Sequence, residues 1–421
     1  MVQQAAVAPT GSTNRRRVLF IAEAVTLAHV GRAYALARAL DPNLYEVHLA
    51  ADPRFERLFD QAGLRWHRCH SISTERFLRC VRAGKPFLDV TTLREYVHND
   101  MALMDTIRPD IVIGDFRLSL SISARVRGIP YVSIFNAYWS PHATPRYIVP
   151  DVPVVDVFGP TIGQFFFSAL RRTFFAWYCH AINRVRRDYG LQSISSNLLR
   201  VYTDGDITLY ADLPQLVPTH NLPANHRFIG PVLWSPQVPL PSWWHDMLRD
   251  ERPLVYISLG SSGPPHLLEE SLEALSDLPV QVIASTAGQA APSRIPANAR
   301  VNDYLPGDDA TRLASLVICN GGSLGVYQAL ASGTPVLGLP SILDQYLNMA
   351  YVQQAQAGEL LRAGQATQPK IRQAVEGMLA AVSYRLRARQ FSQDINQWRG
   401  ERHFADFLQQ TFGSPPQTQA A

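Results

Sequence analysis

The chain has 421 residues, of which 47% are hydrophobic and 18% are charged, and its formal net charge is +4. This composition is typical of a globular enzyme, and the length favours two domains. The basic residues form no extended stripe of the kind that nucleic acid requires, so we expect no nucleic-acid partner. The four cysteines show no paired spacing, and no run approaches the roughly 20 apolar residues that span a bilayer. We therefore expect a cytoplasmic protein.

The first half of the chain alternates between strand and helix patterns. Apolar runs predict strands at 18–22, 45–50, 111–114 and 131–135, and helical spacing predicts helices at 29–40 and up to Arg127. Strands that alternate with helices indicate a parallel sheet with both faces covered.

The segment 165–187 is different, because it is rich in aromatic and basic residues with apolar positions at helical spacing. One interpretation is a helix that packs on the core. The other is a helix that lines a lipophilic pocket or contacts a membrane surface through its arginines, which are Arg171, Arg172, Arg184, Arg186 and Arg187. Both interpretations stay open.

A proline-rich stretch, 231–250, has the composition of an interdomain linker and precedes a second strand–helix region. In that region a strand at 316–319 is followed by Asn320-Gly321-Gly322, a helix, and a strand at 335–339. A glycine turn at a helix N-terminus presents free N–H groups and a positive dipole, which favour an anion. The pattern predicts a phosphate-bearing ligand.

The two parallel-sheet halves, the linker and the segment ALASGTPVLGLPSILDQYLNMA at 329–350 resemble the inverting nucleotide-sugar glycosyltransferases of the GT-B fold. The branch that contains the UDP-glycosyltransferases and the bacterial macrolide glycosyltransferases is the most similar. The resemblance implies an α/β protein with two Rossmann-like parallel-sheet domains facing a central cleft. It implies a flexible tail at 1–14, an acceptor-binding domain at 15–230, the linker, a nucleotide-sugar-binding domain at 251–390, a helix at 391–412 that packs back across the domains, and a flexible tail at 413–421.

The resemblance also implies which residues hold the donor. Tyr304, followed by Leu305, is placed to stack on the nucleobase, and Ser261 to bond a diphosphate oxygen. The turn residues Gly321, Gly322 and Ser323 are implied to bind the diphosphate, and Asp344 and Gln345 to bond the hydroxyl groups of the sugar.

Three donor positions differ from the family pattern. Asn320 stands where the family usually has histidine, Gln328 where it has glutamate toward the ribose, and Gly307 where it often has glutamine. An amide can still donate to phosphate or accept from a hydroxyl group, but it carries no charge.

The catalytic residues implied by the resemblance are far upstream. His29 matches the histidine that faces the acceptor, and Asp115 matches the carboxylate that orients it. An acceptor hydroxyl is a weak nucleophile, and a base near neutral pKa accelerates its attack by about 10²–10⁴-fold.

We therefore expect an inverting, metal-independent glycosyltransferase that needs no cofactor besides its nucleotide-sugar co-substrate. A hexose would pass from a UDP-sugar, with a dTDP-sugar as the second choice, to a hydroxyl of a lipophilic small molecule. Besides donor and acceptor, the expected partner is a membrane surface, contacted peripherally through 165–187.

Other readings of the same residues stay open. Ser323 lies in a G-x-S-x-G pattern, with Asp344 and His403 following in the order of an α/β-hydrolase triad. Asp204-Gly205-Asp206 resembles a D-x-D metal motif or forms a turn. A non-catalytic auxiliary protein and a nucleotide-sugar epimerase are the remaining alternatives.

Overall fold

The structure is a computed structural model that describes residues 15–247 and 249–413. The predicted tail at 1–14 lies outside the described residues, as does the predicted C-terminal tail beyond Gly413. Two parallel sheets with helices on their faces form two domains, which confirms the predicted fold class.

The first domain is built on a seven-stranded sheet in which each strand is parallel to its neighbours. Its strands are β1 (Arg16–Ala22), β2 (Tyr45–Ala51), β3 (Arg65–Arg68), β4 (Ile111–Asp115), β5 (Tyr131–Phe135), β6 (Ile207–Tyr210) and β7 (His226–Phe228). The strand order is β3-β2-β1-β4-β5-β6-β7, so the winding direction switches between β1 and β4. Ala22 pairs with Asp115 at this switch point, and both strands are almost entirely buried.

Six α-helices among the described residues of 15–230 belong to this domain. They are α1 (Leu27–Arg38), α2 (Thr74–Arg82), α3 (Val90–Ile107), α4 (Leu120–Arg127), α5 (Pro153–Asp188) and α6 (Leu198–Tyr202). Helix α5 is broken at Gly159, whose φ of 78° and ψ of 166° are not helical, and Pro160 restarts the helix after the break.

The second domain contains a six-stranded parallel sheet. Its strands are β8 (Leu254–Ser258), β9 (Gln281–Ser285), β10 (Ala299–Asn302), β11 (Leu316–Cys319), β12 (Val336–Gly338) and β13 (Gly358–Leu360). The order is β10-β9-β8-β11-β12-β13, with a second switch point between β8 and β11.

The remaining helices are α7 (Trp244–Met247), α8 (His266–Ala274), α9 (Gly307–Leu313), α10 (Ser323–Ala331), α11 (Leu343–Gln354), α12 (Gln368–Ala380), α13 (Val382–Trp398) and α14 (Gly400–Phe412). The predicted helix at 391–412 corresponds to the end of α13 and to α14. Arg399 separates them with a left-handed φ of 43°.

Helix α14 lies on the first domain, although it follows the second domain in sequence. Phe404 is fully buried and packs on Phe20 of β1, with 5.9 Å between ring centroids. Trp234 of the linker packs on α1 at Gly31, where a Cβ atom would lie 2.6 Å from the indole ring. The two domains are thus joined by the linker and by the return of the chain at α14.

Candidate active site

A cavity of about 730 Å³ lies between the domains. Residues that follow β1, β4 and β5 line one side of it, and residues that follow β8, β11 and β12 line the other. The switch points of both sheets therefore open into the same cavity, at the edge of an α/β sheet where ligands bind. Its volume is in the range of sites that hold small organic molecules.

His29 lies in the first turn of α1, on the first-domain side of the cavity. Its Nδ1 is 2.8 Å from Oδ1 of Asp115, the last residue of β4. Phe116 stacks on the imidazole, with 4.7 Å between centroids and 11° between planes. An ionised carboxylate only accepts hydrogen bonds, so in the neutral imidazole Nδ1 carries the proton and Nε2 has the lone pair. The imidazole is 21% exposed, whereas the carboxylate is fully buried.

Arg32, three residues after His29 on α1, forms a bidentate salt bridge with the same carboxylate. Its Nε lies 2.6 Å from Oδ2 of Asp115, and its second terminal nitrogen lies 2.8 Å from Oδ1. Burial alone raises the pKa of Asp115, but the charge and hydrogen bonds of Arg32 outweigh burial and hold that pKa below its ordinary value. Asp115 is therefore a permanent anion beside His29. The role of Arg32 was not predicted, although its i, i+3 spacing from His29 places both on one helix face.

Asn136, directly after β5, connects this group to the second domain. Its Oδ1 accepts a hydrogen bond from Arg32 at 2.9 Å, and its Nδ2 donates to Oγ of Ser323 at 2.9 Å and to Asp212 at 3.1 Å. One side chain thus links the His29–Asp115 pair to the start of α10. Asn136 was not predicted as a site residue, because no local sequence pattern marks it.

The glycine turn predicted to hold a diphosphate leads from β11 into α10. Gly321 has a φ of 81°, and a Cβ atom there would lie 2.6 Å from Met349, so the position requires glycine. Oδ1 of Asn320 accepts from the N–H of Gly322 at 2.9 Å, and its Nδ2 donates to Ser262 at 3.0 Å. Asn320 therefore holds the shape of the turn.

The first turn of α10 provides the backbone N–H groups that can donate hydrogen bonds to an anion in this region. Gly322 is the N-cap without a side-chain cap, and Gly322 and Ser323 both line the cavity. The N–H groups of a first helical turn have no partners within their own helix, and together with the dipole they form an anion-binding end.

The other predicted donor residues lie around the same end of the cavity. Oγ of Ser261 accepts from the N–H of Leu27 at 3.3 Å, so it bridges the two domains. Tyr304 is half-buried and lines the cavity beside Gly288, where a Cβ atom would lie 2.7 Å from the phenol oxygen. Leu305 is buried next to it.

Gln328 lines the cavity from α10. Its Nε2 donates to the carbonyl of Trp234 at 2.6 Å and lies 3.4 Å from a carboxylate oxygen of Asp308. Gly307 leaves room for this amide, since a Cβ atom there would lie 3.3 Å from Nε2. With its nitrogen engaged by protein, Gln328 offers a ligand one acceptor, Oε1.

Asp344 and Gln345 are adjacent at the start of α11 but have different surroundings. Asp344 lines the cavity and accepts from Nε1 of Trp139 at 2.7 Å and from the hydroxyl of Tyr138 at 3.4 Å. Gln345 also borders the cavity but is only 2% exposed, and its Oε1 accepts from the N–H of Ser341 at 2.9 Å. The structure thus makes Gln345 a helix cap, and contact of either side chain with a sugar stays a prediction.

The opposite end of the cavity is apolar and largely aromatic. It is bounded by α2, by the loops after β4 and β5, and by α5, and its side chains include Phe77, Phe87, Phe116, Phe167, Phe174 and Tyr178. Other residues of the segment 165–187, such as Cys179 and Ile182, are buried in the core. The segment therefore fits both the packing and the pocket-lining interpretation.

The residues of the alternative readings are engaged elsewhere. Asp204 forms ion pairs with Arg125 and Arg186, which supports a structural turn. Within the described ranges, no three His, Cys, Asp or Glu side chains are grouped as metal ligands. Nδ1 of His403 lies 3.2 Å from the carbonyl of Ile229, and Ser323 bonds to Asn136, so no hydrogen-bonded Ser–Asp–His triad forms among the described residues.

These features define a two-domain glycosyltransferase architecture, and comparison with known proteins agrees. The family model of UDP-glucoronosyl and UDP-glucosyl transferase matches residues 171–395. A PGL/p-HBAD biosynthesis glycosyltransferase of Mycobacterium tuberculosis H37Ra is 49% identical over 386 residues, 92% of this chain and 90% of that protein. A PGL/p-HBAD biosynthesis rhamnosyltransferase of Mycobacterium bovis BCG is 50% identical over 378 residues, 90% of this chain and 84% of that protein.

Among solved structures, the spinosyn rhamnosyltransferase SpnG complexed with thymidine diphosphate has the same fold, with a TM-score of 0.67 at 19% identity. The match covers 94% of this chain and 100% of SpnG. The chain belongs to the UDP-glucoronosyl and UDP-glucosyl transferase family and is a glycosyltransferase of GT-B fold. The hydrolase and epimerase readings are therefore wrong.

Proposed function

We propose that the enzyme is inverting and metal-independent, and that it moves a hexose from a nucleoside-diphosphate sugar to a hydroxyl group of a lipophilic small molecule. The observation that carries the proposal is the group formed by His29, Asp115 and Arg32. It presents an imidazole nitrogen with a free lone pair to the cavity, across from the start of α10.

In this mechanism the acceptor oxygen attacks the anomeric carbon while Nε2 of His29 takes the hydroxyl proton. The bond from the anomeric carbon to the phosphate oxygen breaks, and the diphosphate leaves with the electron pair. Attack on the face opposite the leaving group inverts the configuration. The imidazolium that forms is stabilised by Asp115, which Arg32 keeps ionised.

The N–H groups at the start of α10 stabilise the charge that develops on the leaving diphosphate. Fixed backbone dipoles at a water-excluded site need no reorganisation during the reaction, which makes them effective without a metal ion. The hydroxyl of Ser261 adds a polar contact on the same side.

Gln328 bears on whether the donor nucleoside contains ribose or deoxyribose. The family resemblance favours a UDP-sugar, in which the ribose presents two hydroxyl groups to this position. Gln328 has a single acceptor left after its bond to Trp234, which matches the one free ring hydroxyl of a deoxyribose. One relative is named a rhamnosyltransferase, and the structural neighbour SpnG, also named a rhamnosyltransferase, was solved with thymidine diphosphate. Both names are consistent with a dTDP-sugar donor. We therefore favour a dTDP-hexose.

The acceptor follows from the aromatic end of the cavity. Phenylalanine faces around Phe116 suit an aromatic or acyl group next to the attacking hydroxyl. The two mycobacterial relatives are named for PGL/p-HBAD biosynthesis, which agrees with a natural-product acceptor.

The test compares the unaltered protein with His29→Ala. Each is given dTDP- or UDP-hexoses and a panel of lipophilic phenols, and transfer is measured as the release of nucleoside diphosphate. Transfer should fall by about 10²–10⁴-fold. Nucleotide binding should survive, measured as the rise in melting temperature caused by UDP, dTDP or GDP. Near-normal transfer by the variant would overturn the mechanism.

A further inference from the structure

Helix α5 carries a stripe of large apolar side chains that face solvent. Ile162, Phe166, Leu170 and Phe174 follow one another at intervals of four residues, which places them on one side of the helix. Phe165 and Trp177 flank this stripe and are 71% and 48% exposed, and Val157, just before the break, is 72% exposed. Soluble monomers rarely expose a contiguous apolar surface of this kind without a use for it.

This stripe is separate from the face that holds α5 on its domain. Phe175, Cys179, Ile182 and Val185 are buried and belong to the core. The helix is therefore apolar on two sides, and only one of them is covered by described residues.

The exposed stripe continues into the cavity. Phe166, Leu170 and Phe174 are partly exposed and also line its apolar end, whereas Val157, Phe165 and Trp177 lie outside the lining. An apolar surface thus leads from the outside of the protein to the place where we put the acceptor.

The charge around the cavity mouth is positive. No acidic residue occurs between Asp156 and Asp188. Arg172 projects from α5, and Arg82 and Lys85 flank the lining residues on the α2 side of the mouth. None of these three cations forms an ion pair with a described residue. Basic side chains beside an exposed apolar face suit an interface with anionic lipid.

We propose that this face of α5, from Val157 to Trp177, docks on an anionic lipid bilayer, and that the acceptor passes from the bilayer directly into the cavity. The inference rests on the lipophilic acceptor of the proposed function. Within the described residues no helix is long and apolar enough to cross a membrane. In this proposal α5 lies along the bilayer surface. The acceptor class is then a membrane-resident lipid whose hydroxyl-bearing head reaches His29 while its apolar tail extends toward the mouth.

The test uses the full chain with Val157→Gln, Phe165→Gln and Trp177→Gln combined. None of these side chains lines the cavity, and all three are exposed, so folding and the melting temperature should be unchanged. The matched control is Val382→Gln with Leu386→Gln on α13, where two exposed apolar side chains, 67% and 55% exposed, lie away from the mouth.

Co-sedimentation would be measured with vesicles of phosphatidylcholine mixed with phosphatidylglycerol and with vesicles of phosphatidylcholine alone. The unaltered protein and the control should bind the anionic vesicles, and added salt should weaken that binding. The triple variant should bind at least about tenfold more weakly, because burial of its apolar side chains supplies the binding free energy. Transfer to a long-chain phenol held in vesicles should fall in parallel, while transfer to a short soluble phenol should be unchanged.

The outcomes separate the two proposals. No transfer to any soluble phenol by the unaltered protein would overturn the proposed function. Normal transfer to soluble phenols without vesicle binding would overturn the docking inference alone. A stable dimer in light scattering that the triple variant converts to monomer would show that a second copy covers this face, and would also overturn it.

Discussion

The two sides of the cleft are built by different means. On the first-domain side, His29, Asp115 and Arg32 form a network of charge-assisted hydrogen bonds in which the carboxylate is fully buried. On the second-domain side, the turn at Asn320 to Ser323 uses backbone N–H groups, an amide and hydroxyl groups. The network carries fixed charge, whereas the turn is neutral, although the carboxylate of Asp344 lines the cavity elsewhere on the second-domain side.

The difference corresponds to the two tasks of glycosyl transfer. A base that becomes cationic needs a permanent anion beside it, and a buried anion needs its own counter-charge to stay ionised. A leaving diphosphate needs many donors in a fixed geometry, which a helix start provides without a buried cation. We expect the charged side to be sensitive to substitutions that keep the shape of the side chain, and the neutral side to respond more weakly.

The largest effect should come from Asp115→Asn. This change keeps the shape but removes the charge, so the imidazolium loses its stabilising anion and Arg32 loses its buried counter-ion. One of the two acceptor oxygens also becomes an N–H donor. We expect kcat/KM to fall by about 10²–10⁴-fold, with dTDP binding retained in a thermal-shift assay. Asp110→Asn, at the exposed residue just before the same strand, is the control. Equal losses in both variants would contradict a special role for the buried charge.

The next effect concerns stability at the boundary between the two sides. Burial raises the pKa of Asp212 to about 6 from the ordinary value of 3.8. Because the folded pKa is raised, the stabilising contribution is complete below the ordinary value and is lost as the pH rises through about 6.

Asp212→Asn should remove this dependence. Between about pH 4 and pH 6, the unfolding free energy of the parent should fall relative to that of the variant as the pH rises, by about 3 kcal/mol at most. Thermal unfolding at a series of pH values measures it, and a difference that does not vary with pH would contradict the raised pKa.

A smaller effect is expected for Asn136→Ala, which removes the side chain that connects Arg32 of the first domain to Ser323 of the second. The lost hydrogen bonds to Ser323 and Arg32 are worth about 0.5–1.5 kcal/mol each, so KM for the donor should rise by roughly tenfold. A double-mutant cycle with Ser323→Ala measures the coupling. Strictly additive effects would show that the two side chains act independently.

The smallest effect is expected for Gln328→Glu on the neutral side. A carboxylate restores a second acceptor toward the ribose, so the ratio of the Kd for UDP to the Kd for dTDP should fall by a few-fold to about tenfold. The ratio is informative because a general loss of affinity cancels in it. An unchanged ratio would contradict the assignment of Gln328 to the sugar of the nucleoside.

The fold was predictable where patterns are local. The buried strands β1, β4 and β11 are short apolar runs bounded by turns, and their predicted bounds agree with the structure to within two residues. The edge strands β10 and β13 have only four and three residues, too few for a recognisable alternation, and they were not predicted.

The site was predictable where family motifs cover it, and less so where the domains meet. His29 and Asp115 were predicted from resemblance, and the structure brings their side chains together. Asn136 and Ser323 are separated by 187 residues, and their contact depends on how two sheets face each other. No periodicity in the sequence reports that arrangement, nor the contact of Trp139 with Asp344.

The return of the chain at Gly400 restricts how the cleft can open. A Cβ atom on Gly400 would lie 2.4 Å from the carbonyl of Pro231 and 2.9 Å from that of Gly230, so the outgoing and returning crossings touch at the backbone. Two chain segments that cross between the domains at one place, here at Pro231 and Gly400, act as a single hinge line about which one domain can rotate. Sliding of one domain past the other would shear both crossings and pull Phe404 from its core. A rotation about this line would widen the cleft while Phe404 stays in its core.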